Sequence, residues 1–160
     1  METITTPQAA HILGMSFRTL DNWIRIGLVT CSQAASGRST RRAWDVDDVA
    51  RVAFLRTLRE NGVSTQRLNS MKKSGSLDNL LDKMLEQEKT YGDEYTFTDF
   101  VLIVEDKASL TTIRPKRKVV ERAFAALEAG LPPEPLTYDD APSGIEHQVS
   151  SPGKSGSPRR

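Results

Sequence analysis

A chain of 160 residues can hold one comfortable core, or two small ones with a tail, and its 27% charged and 38% hydrophobic content is ordinary for a globular protein. No apolar run approaches the roughly eighteen residues of a membrane span, and the start METITTPQAAH lacks the basic-then-apolar order of a secretory leader. The net charge of +1 hides a split: residues 1–73 carry 11 Lys/Arg against 6 Asp/Glu (+5) and suit a polyanion, whereas residues 74–130 carry 8 against 11 (−3) and do not.

In chain order, Thr6 is a good helix N-cap, Pro7 suits the first helical position, and Ala9, Ala10 and Leu13 then share a face until Gly14 ends the helix. Ser16 caps a second helix with Leu20, Trp23 and Ile24 on its buried side and Phe17, Arg18, Asn22 and Arg25 elsewhere; Gly27 stops it. Two short helices joined by a glycine turn form a helix-turn-helix pattern, which sends the start of the second helix into the DNA major groove. That expectation assigns Ser16, Phe17, Arg18 and Thr19 to base edges. Leu28–Thr30 and Ala43–Trp44 are β-favouring runs separated by CSQAASGRSTRR, which predicts a hairpin wing. Its arginines Arg38, Arg41 and Arg42 either solvate or hold phosphate oxygens, and beside a helix-turn-helix phosphate contact is favoured.

A third helix is expected from about Val46 to Asn61, with Asp45, Asp47 and Asp48 at its positive end, and a fourth from Ser64 through Leu68 and Met71. Ser76 to Thr90 predicts a fifth, whose stripe Leu77, Leu80, Leu81, Met84 and Leu85 serves equally as core or as an interface. Phe97 to Val104 and Ala108 to Ile113 read as a β-hairpin turning at Asp106-Lys107, and Pro115 opens a last helix carrying Val119, Val120, Ala123, Phe124 and Leu127. A hairpin with one helix is too small to stand alone, so it must pack on the rest or on a second chain. Lys116, Arg117 and Lys118 read as a solvated turn more readily than as DNA contacts. From Leu131 the Pro, Ser and Gly content predicts a disordered tail over 131–160.

The succession TPQAAHILGMS, RTLDNWIRIGLV, SGRSTRRAW and DVDDVARVAFLRTLRENGVSTQRL resembles the MerR-type winged helix-turn-helix over about residues 3–73. The resemblance implies that Arg18 and Arg25 of the second helix and Arg41 and Arg42 of the wing contact DNA, and that Trp23, Leu28 and Trp44 pack the core. It also implies a homodimer paired through a long helix, binding double-stranded promoter DNA and distorting it so that RNA polymerase can engage. The wing is longer than in metal-sensing members. Those members also place several cysteines after the fourth helix, where this chain has none, which argues against metal response.

Cys31 is the single cysteine, so it forms no intrachain disulfide and reads as an inert thiol in a reducing cytoplasm. His11 and His147 lack nucleophile partners at a recognisable spacing, and no phosphate-cradling glycine loop or HExxH run is present. The sequence therefore predicts no enzyme, no cofactor and no metal. The expected fold is mainly α with small β: a winged helix-turn-helix over 1–73, then a helix, a β-hairpin and a C-terminal helix over 74–130 for dimerisation or sensing. The expected function is a cytoplasmic, sequence-specific DNA-binding transcriptional regulator. Its DNA-binding residues would be Ser16, Phe17, Arg18, Thr19, Asn22, Arg25, Arg38, Arg41 and Arg42. Two alternatives stand beside it: an excisionase-like, DNA-bending factor of a mobile element, and a protein-interaction or small-molecule-sensing module with DNA binding as its output.

Overall fold

The computed structural model describes residues 3–31, 42–91, 98–104, 107–113 and 116–138. Helix α1 (Thr6–Leu13) is capped by Thr5, one residue before the expected Thr6. The Thr5 hydroxyl accepts from the Gln8 amide N–H at 3.3 Å while the Gln8 side chain accepts from the Thr5 N–H at 2.9 Å, a reciprocal capping box. Thr6 serves the core instead. Its hydroxyl accepts from the indole N–H of Trp44 at 2.9 Å, which lets a fully buried tryptophan satisfy its polar atom. Gly14 then turns the chain at φ 64°, and Ser16 caps α2 (Phe17–Arg25) through the Thr19 N–H at 3.0 Å.

Helix α3 (Val46–Glu60) is the centre of the packing. Asp45 and Asp48 form its capping box, and Val49, Val52, Ala53, Phe54, Leu55 and Leu58 are all buried, so the helix is covered on most of its sides. Its one buried hydroxyl, Thr57, donates to the Ala53 carbonyl at 2.9 Å. Helices α1, α5 (Ser76–Tyr91) and α6 (Arg117–Glu128) pack against α3, and α4 (Thr65–Ser74) packs against α5 across the single break at Gly75. Lys116 is buried and Arg117 is engaged by carboxylates, so neither forms the solvated turn read from the sequence.

The expected fold class needs correction in its β content. Among the residues whose burial is described the core is built by helices and the connections Ile4, Leu28, Val29, Trp44, Val63 and Leu136, and a β-hairpin as a component of that core is not supported. The fold is helical with a helix-turn-helix head. The backbone at Thr98–Val104 (β1) and Lys107–Ile113 (β2) runs antiparallel, with Thr98 opposite Ile113 and Val104 opposite Lys107. Two strands paired only with each other are marginal by themselves. The expected first strand of the wing departs as well, while residues 32–41 of the wing lie outside the described residues. The N–H groups of Leu28 and Val29 both donate to the Trp23 carbonyl, at 3.0 and 3.3 Å, so this run closes the end of α2 instead of forming a strand. Trp44 pairs with Ile4, exchanging hydrogen bonds of 2.9 and 3.0 Å.

The tail expectation fails over residues 131–138. This segment lies as a strap on α1: Leu136 and Pro133 are buried, the Leu136 N–H donates to the Ile12 carbonyl at 2.8 Å, and His11 Nε2 meets the Pro133 carbonyl at 3.1 Å. Carbonyls at the end of a helix have no partner within it, and the strap supplies partners from elsewhere.

Candidate nucleic-acid interface

The expected reading residues converge on one surface of α2. Leu20 and Trp23 are buried, whereas Phe17, Arg18, Asn22 and Arg25 are exposed, and with Asp21 they follow the i, i+1, i+4, i+5, i+8 spacing of one helix face. Ser16 and Thr19 are exposed as well, but their hydroxyls meet at 2.8 Å and serve the cap. Their first role is to set the helix start.

Asp21 lies on the same face and was missed by sequence reasoning. One carboxylate oxygen accepts from Arg25, with Nε at 3.2 Å and the terminal nitrogen at 3.1 Å, and the other meets Arg42 at 3.5 Å. The acid therefore ties the base of the wing to α2 and holds two cations beside the exposed face. The i, i+4 spacing of Asp21 and Arg25 was a readable signal; the Arg42 contact, across 21 residues, was not. Arg38 and Arg41 lie outside the described residues.

At the start of α2 an open recess of about 250 Å³ is lined by Gly14, Met15, Ser16, Thr19, Trp23, Arg56, Arg59 and Glu60. Both arginines there bond backbone: Arg56 donates to the Leu13 and Gly14 carbonyls, and Arg59 donates to the Val63 carbonyl at 3.2 Å. They fix the turn between α1 and α2 and the turn after α3.

Residues 4–74 match the family described as MerR HTH family regulatory protein, from the Ile4 bridge to the last residue of α4. This segment is a MerR-type helix-turn-helix head. The match is to a family of helix-turn-helix regulatory proteins and covers 71 of the 160 residues. Comparison with curated proteins gives no match. Among the described residues no helix is long and apolar enough to cross a membrane.

Beyond the matched residues, α5, α6 and the strap brace the MerR-type head from behind. Asp47, in the first turn of α3, accepts from Lys89 of α5 and from Arg117 of α6, both at 2.9 Å. Burial pushes its carboxyl up, but the hydrogen bonds and charges of Lys89 and Arg117 outweigh that and leave it below its usual value. Glu88 caps α6 from outside, its two oxygens accepting from the N–H groups of Lys116 at 3.0 Å and Arg117 at 3.1 Å. Here burial dominates and raises the carboxyl above its usual value, against the opposing pull of those N–H groups and the Arg117 and Lys116 charges. The head and its brace share one apolar cluster.

Proposed function

We propose that this chain binds double-stranded DNA sequence-specifically as a homodimer, places α2 in the major groove, and regulates transcription by distorting promoter DNA. The observation that carries the reading is the exposed face Phe17, Arg18, Asn22 and Arg25 set directly against the buried Leu20 and Trp23. A helix anchored on one side and furnished with guanidinium, amide and aromatic groups on the other has the chemistry of base readout. Arg18 and Asn22 read base edges, while Arg25, Arg42 and the wing arginines Arg38 and Arg41 hold phosphates and fix register.

One short recognition helix covers only a half-site, which favours two copies across a two-fold axis. Residues 74–130 supply the dimerising or sensing part and residues 1–73 the head. RNA polymerase is the further partner, and the bacterial cytoplasm is the setting. The test is selection of duplexes from a random pool by the full chain, followed by titration and mass measurement of the complex. Recovery of a two-fold symmetric site bound by two chains supports the reading; recovery of no common sequence defeats it.

A further inference from the structure

Among the residues whose burial is described, the exposed large hydrophobic side chains are Phe17, Ile26 and Leu131. Only Phe17 belongs to the face proposed to meet DNA. It is the first residue of α2, half its surface is open, and the cap formed by Ser16 and Thr19 fixes the backbone from which it projects. On a 3.6-residue helix it lies at the edge of that face, one turn before Asp21 and beside Arg18. Leu20 and Trp23 already fill the inner side of α2, so Phe17 is spare to the core.

An apolar ring in a polar reading face needs an apolar counterpart. The major groove offers donors and acceptors on every base edge and, in unmodified DNA, one hydrocarbon group, the 5-methyl of thymine. Wedging of apolar side chains between base steps belongs to minor-groove binders, and the first turn of a helix-turn-helix recognition helix enters the major groove. We infer that Phe17 is a specificity-determining residue that selects thymine in each half-site by covering its 5-methyl group, next to the base read by Arg18. The inference rests on the DNA-binding reading and adds to it a defined base and a defined atom. Covering one methyl group, worth about 0.8 kcal/mol per buried carbon, corresponds to about a fourfold preference over the same site without it.

The test uses the full chain and the duplex it selects, with each thymine replaced in turn by deoxyuridine, which removes the methyl group and leaves the hydrogen-bonding edge intact. Wild type should bind about fourfold more weakly when the thymine covered by Phe17 is replaced in a single half-site. Phe17→Ala should bind that altered duplex and its parent equally, while Phe17→Leu, which keeps an apolar contact, should retain the difference. Matching melting temperatures for the three proteins establish that the fold is kept. Methyl independence in wild type, or an undiminished methyl effect in Phe17→Ala, overturns the inference while leaving sequence-specific binding in place. A chain that selects no sequence overturns both.

Discussion

The hydroxyl of Tyr138 donates to the carbonyl of Leu13 at 2.6 Å, across 125 residues of chain. Arg56 stacks on the same ring at 4.4 Å and donates to the same carbonyl at 3.2 Å, so one peptide group at the end of α1 is held by two side chains that also hold each other. Next to it, a side chain at Gly14 would come within 3.2 Å of the Leu136 carbonyl, in addition to the strain of its positive φ. The strap thus seals the turn that aims α2.

Tyr138→Phe keeps the ring on Arg56 and removes only the hydroxyl. Because Arg56 still serves the Leu13 carbonyl, the expected cost is about 0.5–1.5 kcal/mol, read as a lower urea midpoint at unchanged slope. Ending the chain after residue 130 also strips Leu136 and Pro133 from α1, and should cost more stability and weaken DNA binding. Equal DNA affinity for the shortened and full chains would show that the strap does not aim the head.

Trp44 joins the N-terminal segment to the start of α3: its backbone pairs with Ile4, its indole bonds Thr6, and none of its surface is exposed. Trp44→Ala should therefore cost about 3–5 kcal/mol. Trp44→Phe should cost less, losing volume and the bond to Thr6 but keeping an aromatic in place. Denaturant titration of both variants ranks them, and a loss below about 1 kcal/mol for the alanine change would contradict the packing described.

Much of this was legible from the residues. Caps at Ser16 and Ser64, stops at Gly14 and Gly27, and the apolar spacing in α2, α3 and α5 are local signals, and local signals survive into the fold. The exposed face of α2 followed from its spacing alone. Long-range partners were not legible. Leu28–Thr30 has strand propensity, yet the end of α2 claims the N–H groups of Leu28 and Val29. The segment 131–138 has the composition of a loose tail, but Leu136 and Tyr138 are spaced to meet the open carbonyls of α1, Pro133 to meet the His11 ring and Tyr138 to meet Arg56, which only the fold brings near. Glu88 as the outside cap of α6 was hidden for the same reason.

Arg18→Ala should weaken binding to the selected site by about 1–3 kcal/mol and leave random DNA nearly unaffected. Arg42→Ala should weaken both alike and reduce the salt dependence by about one phosphate contact. Titrations at several salt concentrations separate the two roles. Equal losses on specific and random DNA for Arg18→Ala would move that residue from base to backbone.

Asp21 places a negative charge between Arg25 and Arg42 on the face proposed to meet DNA. Asp21→Asn removes the competitor for both guanidinium groups. Since an exposed ion pair is worth about 0.2–1 kcal/mol, affinity for random DNA should rise by up to about fivefold. Affinity for the selected site should rise less, because freed arginines are also less well placed, so the ratio of specific to random binding should fall. An unchanged ratio would mean that Asp21 positions neither arginine.

The clasp between helices carries two carboxylates whose responses to pH oppose each other. Asp47 is held below its usual value of 3.8, so its contribution is present above that value and is lost as pH falls through its depressed folded value. Glu88 is raised above 4.5, so folding favours its protonated form: that contribution is full below 4.5 and is lost as pH rises through the folded value. Asp47→Asn should therefore flatten the acid side of the stability profile. Glu88→Gln keeps one acceptor for the Lys116 and Arg117 N–H groups and removes the titration, so wild type should lose stability relative to this variant as pH climbs from about 4 toward neutrality. Denaturation midpoints for the three proteins over that range check both signs. A wild type that instead gains on Glu88→Gln with rising pH would mean that the cap N–H groups outweigh burial at Glu88.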